Sequence, residues 1–158
     1  MVNNILDKSI DWKSLFGNRY KNLSFFDPIT IKELNNIKQN TGIEISGDLL
    51  ELLKQTNGIM ENMIINNEII EIGFLVYNSG KIIETHEIHL EFLQKGNVNP
   101  PYNFLFFSDN GCGECFGFIT ENGRIISNKI GIYYPINNEF NIIASNLMNW
   151  VTEWDGKS

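Results

Sequence analysis

The chain has 158 residues, 42% hydrophobic and 20% charged, the composition of a folded soluble protein long enough to bury a real core. No apolar run approaches the ~20 residues needed to cross a bilayer, two cysteines cannot build a disulfide framework, and the opening segment, with Asp7 and Asp11 and no long apolar stretch, does not read as a secretory signal. The formal net charge is −7, and all of it lies beyond residue 60: seven basic and seven acidic residues occupy 1–60, five basic and twelve acidic 61–158. Such a surface repels nucleic acid and steers in a basic protein partner, although mild acidity also serves solubility.

In chain order, Ile10, Trp12, Leu15 and Phe16 predict a short helix, followed by an irregular link through Pro28. Thr30-Ile31-Lys32-Glu33 is a capping box opening a helix with Ile31, Leu34 and Ile37 on one face and Gly42 as its stop. Ser46 is the expected N-cap of a second helix, with Asp48 in its positive first turn, Leu49, Leu52 and Leu53 on its buried face, and Asn57-Gly58 ending it. Met63–Ile65 and Glu68–Ile72 flank Asn66-Asn67, a hairpin signal, and Phe74–Tyr77 continues the sheet. Ile83, Leu90 and Leu93 predict a helix over Lys81–Gln94, broken by Asn99-Pro100-Pro101.

Beyond it the pattern is β. Strands are predicted at Phe104–Phe107, Cys115–Thr120, Ile125–Ser127 and Ile130–Tyr134, with a turn at Glu121-Asn122-Gly123-Arg124. Phe140, Ile143, Ala144, Leu147, Trp150 or Val151, and Trp154 recur at three and four, which predicts one closing amphipathic helix. Trp12, Trp150 and Trp154 read as packing residues, with Trp154 the most exposed. The expected class is α+β: N-terminal helices, a central antiparallel twisted sheet and a C-terminal helix, in a single domain over 1–158 on which residues 1–29 pack as an extension.

The segment FFSDNGCGECFGF, residues 106–118, admits three readings. Cys112 and Cys115 have metal-knuckle spacing, and His86 and His89 would complete a Cys2His2 zinc set using every Cys and His in the chain. A redox pair needs a helix after the first thiol, and a strand-like aromatic run follows instead. The third reading is structural: Asn110-Gly111 and Gly113 supply the positive φ values of a bulged connection, the thiols fill space, and Asp109 and Glu114 are its exposed members. No nucleophile triad, dinucleotide fingerprint or P-loop is present, so the reading is of a protein that is not an enzyme and carries no cofactor or bound metal. Glu84, Glu87 and Glu91 form a helical row of carboxylates, a solvated face or a partner surface.

These segments in this order resemble the SUKH superfamily, which contains the yeast cell-wall-synthesis regulator and many bacterial immunity proteins. Ile45, Leu49, Leu53, Asn57 and Gly58 match a helix ending in Asn-Gly. Ser108, Asp109, Gly111, Gly113, Glu114 and Phe116 match the strand–S-D-G-G-G-D/E–strand turn with its following aromatic, and Cys112 stands where Gly is common. Ile45-Ser46 stands where Leu-Pro is common. The resemblance spans roughly residues 30–155. It implies a cytoplasmic, non-enzymatic immunity protein that binds a cognate toxin, a nuclease with a basic groove, with no nucleic acid or membrane as partner. The expected partner surface comprises Asp109, Glu114, Glu61, Glu68, Glu71, Glu84, Glu87 and Glu91. A zinc protein, or a scaffold in cell-wall synthesis, is the alternative.

Overall fold

The computed structural model describes residues 9–153; Trp154 and the first eight residues lie outside them. The order is α1 (Trp12–Arg19), β1 (Leu23–Phe25), α2 (Ile31–Thr41), α3 (Gly47–Gln55), β2 (Ile59–Ile65), β3 (Glu68–Val76), α4 (Ser79–Gly96), β4 (Asn103–Asp109), β5 (Cys115–Glu121), β6 (Arg124–Tyr134), β7 (Glu139–Ala144) and α5 (Leu147–Thr152). The class is α+β, and the strands form two antiparallel sheets, β1-β2-β3 and β4-β5-β6-β7. The second sheet is covered on both faces. His89 of α4 packs its ring on Phe106 and Tyr133, while Trp150 of α5 packs edge-on to Phe107 and Phe116 from the other side. Two-sided burial is why β4 reads Phe-Leu-Phe-Phe without polar alternation.

Local signals place the turns. Both arms of the Thr30 capping box form: Thr30 Oγ1 accepts from the Glu33 amide, and Glu33 accepts from the Thr30 amide at 2.9 Å. Asn66 and Asn67 take φ of 52° and 65°, and Asn122 and Gly123 take 53° and 77°, the twist that two-residue hairpins need. Ser46 occupies the N-cap of α3 but makes no side-chain bond there. Asn128, eighty residues away, accepts from the Asp48 amide, and Asp48 in turn accepts from the Leu147 amide at the start of α5. The cap is therefore tertiary, binding α3 to β6 and α5.

Other expectations are corrected. The closing segment is two elements: Phe140 and Ala144 lie on β7, paired with β6, and helix starts afresh where Asn146 accepts from the Asn149 amide. The β-branched pair Ile142-Ile143 suits the strand. Residues 125–127 and 130–134 belong to one strand, β6. On α2, Ile37 is buried while Ile31 faces solvent. On α4 the buried stripe runs through Ile82 and His86 instead of Leu90, which is exposed.

Asn57 ties the helices together. Its amide nitrogen donates to Glu33 at 3.1 Å and to Ser79 Oγ at 3.3 Å, its oxygen accepts from the Ser79 amide at 2.9 Å, and its own backbone N–H donates to Asp27. Gly58 beside it has φ +103°, and a Cβ there would sit 2.9 Å from the Asn78 nitrogen. Gly58→Ala is thus expected to cost more than about 3 kcal/mol, left-handed strain plus a backbone collision. Gly111→Ala, at φ +77° but facing open space, should cost about 1–2 kcal/mol. Urea midpoints of the two variants test the ranking, and equal losses would contradict it.

Candidate functional site

The two sheets meet where β3 ends beside β4. The Tyr77 amide donates to the Phe107 carbonyl at 2.7 Å, and the fully buried Ser108 hydroxyl donates to the Leu75 carbonyl at 2.6 Å. The Tyr77 hydroxyl donates to Asp109 Oδ2 at 2.6 Å, and Asp109 Oδ1 accepts from the Gly111 amide at 2.8 Å. Asn110 then accepts from the Cys112 amide, and its side chain donates to Glu114 Oε1 at 2.9 Å. Gly111 and Gly113 take φ of 77° and 99°, so the connection between β4 and β5 is the glycine-shaped turn that the sequence predicts. Asp109 and Glu114 are half-buried within it, not freely exposed.

Beside this turn opens a groove of about 570 Å³, walled by Ile72 and Phe74 of β3, Tyr77, Lys81 of α4 and the first residues of the turn, with Glu61 of β2 and Asp109 both lining it. Burial, and then repulsion from Asp109, raise the Glu61 carboxyl above its ordinary range. Burial foremost, with Cys115 and Asp109 adding, pushes the Tyr77 phenol up, so it remains a hydrogen-bond donor. Lys81 lies 3.3 Å from Glu84 and carries its amine to the rim.

The predicted partner residues therefore divide. Glu61 and Asp109 share the groove, Glu114 closes the far side of the turn, and Glu68 and Glu71 stand exposed on the β2–β3 hairpin. Glu84, Glu87 and Glu91 are exposed on α4, where Lys81 and Lys95 neutralise the outer two. Tyr77 and Lys81 were not singled out by sequence. The available signal was that Lys54 and Lys81 bracket 26 residues without a single Lys or Arg.

The zinc set does not assemble: among the described residues no three His, Cys, Asp or Glu side chains are placed to hold a metal ion. Cys112 is exposed on the turn, and Cys115 is half-buried with its thiol pushed up to about 11, by burial first and Asp109 second, the opposite of an activated thiolate. The histidines face inward. Burial lowers His86, and burial with the nearby His86 pushes His89 down to about 4.

These observations meet the sequence comparison at one point. Residues 28–153 match the SMI1 / KNR4 family (SUKH-1), a match that includes α3, which stops at Gln55 with Thr56 as its extended cap and not at the expected Asn57-Gly58, and the whole of the Ser108–Glu114 turn. The chain belongs to that family. A comparison with curated proteins found no match. The SUKH family includes toxin immunity proteins, and in this chain Ser108 and Asp109 lie at the seam between the sheets. Among the described residues no helix is long and apolar enough to cross a membrane.

The inward histidines give a pH dependence. The unfolded chain takes up these protons near pH 6.5 and the folded chain only at lower pH, so stability falls as pH drops from 6.5 towards 4. His89→Phe keeps a ring against Phe106 and Tyr133 and removes one titrating group. Urea unfolding at intervals across that window should give a shallower slope for the variant; an unchanged slope would contradict the assignment.

Proposed function

We propose that this SUKH-family chain is a non-enzymatic immunity protein that binds its cognate toxin, a nuclease, and blocks the active site by presenting carboxylates to the toxin's basic substrate groove. The observation that carries the reading is the Glu61–Asp109 pair. Two carboxylates line one open groove, neither in an ion pair among the described residues, and burial first, then repulsion from Asp109, raises Glu61. Such an arrangement costs the free protein stability and gains when a cation seats between the charges. Glu68 and Glu71 extend the negative field outward, together with Glu87, the member of the α4 row that neither Lys81 nor Lys95 neutralises, which speeds encounter with a basic partner. Glu114 supports the turn and stands on its opposite side. The role needs no thiol, metal or cofactor chemistry, and a cytoplasmic location is where such an antidote protects the cell that makes it.

Because both Asp109 oxygens hold the turn, reversing its charge would disturb structure as well as field. Glu61→Gln/Glu68→Gln/Glu71→Gln is the cleaner variant. With a toxin whose gene adjoins this one, its association rate at low salt should fall about tenfold if that toxin is the cognate partner, with little change in dissociation and a converging difference as salt rises. Stopped-flow association measures this, and an unchanged rate at low salt would remove these carboxylates from the encounter surface.

A further inference from the structure

The outer half of the β2–β3 hairpin is apolar on both of its faces and exposed on both. Met63, Ile64, Ile65, Ile69, Ile70 and Ile72 are 44–72% exposed. A strand pair with one buried face alternates apolar and polar residues; this one does not, and it offers water a patch of a kind that marks an interaction site. Its edges are open too. β1 pairs only with Ile59–Glu61, and β3 is the last strand of its sheet.

Register separates the faces. Met63 pairs with Ile70, so their side chains share one face, with Glu61 and Ile65 two residues either way along β2 on the same side; Ile72 is the extra residue where β3 shifts register opposite Glu61 and Asn62. Glu61 and Ile72 line the groove that Asp109 also lines, so the Glu61–Met63–Ile65 face of β2 continues the groove wall. Ile64 pairs with Ile69 on the opposite face. Charge decides what fits there. From Gln55 to Gly80 the chain carries Glu61, Glu68 and Glu71 and no Lys or Arg, so a second copy laid on the hairpin would bring carboxylates against carboxylates with no cation to separate them. A partner segment that is apolar and bracketed by Lys or Arg satisfies both the isoleucines and the glutamates.

We propose that this hairpin is the arm that grips the toxin, with Met63, Ile65, Ile70 and Ile72 burying against an apolar toxin segment flanked by basic residues. The inference rests on the immunity reading and deepens it: the carboxylates set the rate of encounter, and the isoleucine face sets how long the complex lasts. These side chains are exposed, so truncating them costs folding little.

The test uses the full-length chain and a catalytically inactive form of a toxin whose gene adjoins its own. Ile65→Ser/Ile70→Ser, on the groove side, should weaken binding at least about tenfold, mostly through faster dissociation, whereas Ile64→Ser/Ile69→Ser should stay within about threefold of wild type. Thermal unfolding of each variant checks the fold, and Ile72→Ser alone should weaken binding in the same direction if the groove-side pair does not fold. Equal affinity for wild type and groove-side variants, or a larger loss from the far-side pair, overturns the arm while leaving the immunity reading intact. A wild-type chain that does not bind the toxin defeats that reading and the arm with it. Wild-type dimerisation without toxin that Ile65→Ser/Ile70→Ser abolishes makes a second copy the occupant and overturns the proposal.

Discussion

The constraint on which the rest depends is the seam between the two sheets. Ser108 is fully buried, and its hydroxyl reaches the Leu75 carbonyl; one residue on, Asp109 takes the Tyr77 hydroxyl with one oxygen and the Gly111 amide with the other. A buried carbonyl left without its donor costs about 1–3 kcal/mol, so β3 and β4 gain by meeting in this one register. The same bonds set the turn between β4 and β5, hold Asp109 towards Glu61, and create the groove. Shape and charge at the site thus come from residues that first solve a backbone hydrogen-bonding problem.

Asp109 serves structure and field at once, and Glu114 is held by Asn110. Glu61 has no such bond among the described residues and bears the cost of burial first and of its neighbour Asp109 second. Within the candidate surface it is the side chain whose charge the fold does not use, and the hairpin glutamates share that freedom. A binding surface built in this way separates what must not change, the turn, from what can vary with the partner, the hairpin.

Much of this was legible in the sequence where the signal is local. The Thr30–Glu33 box, the Asn66-Asn67 and Asn122-Gly123 turns and the Gly111/Gly113 connection each rest on a few adjacent residues, and each forms. What failed to show was set by distant neighbours. Ser46 holds the N-cap position, but the donor it would satisfy is taken by Asn128 from β6. The three-and-four spacing from Phe140 to Trp150 fits a helix, yet β6 was waiting to pair with its first half. His86 and His89 sit in an acidic segment, yet His86 is buried and His89 packs its ring on the Phe104–Phe106 face of β4. The two-sided exposure of Ile64 and Ile70 has no local signature at all, because alternation cannot reveal that neither face is covered.

Hydrogen–deuterium exchange of the chain alone and with its toxin tests the central claim most directly. If the seam builds the docking face, complex formation protects backbone amides in residues 61–73 and 109–111 together, while α2 and the β6–β7 turn exchange as before. Protection confined to α2 or to the β6–β7 turn, with the hairpin and the Asp109 turn unchanged, would contradict it.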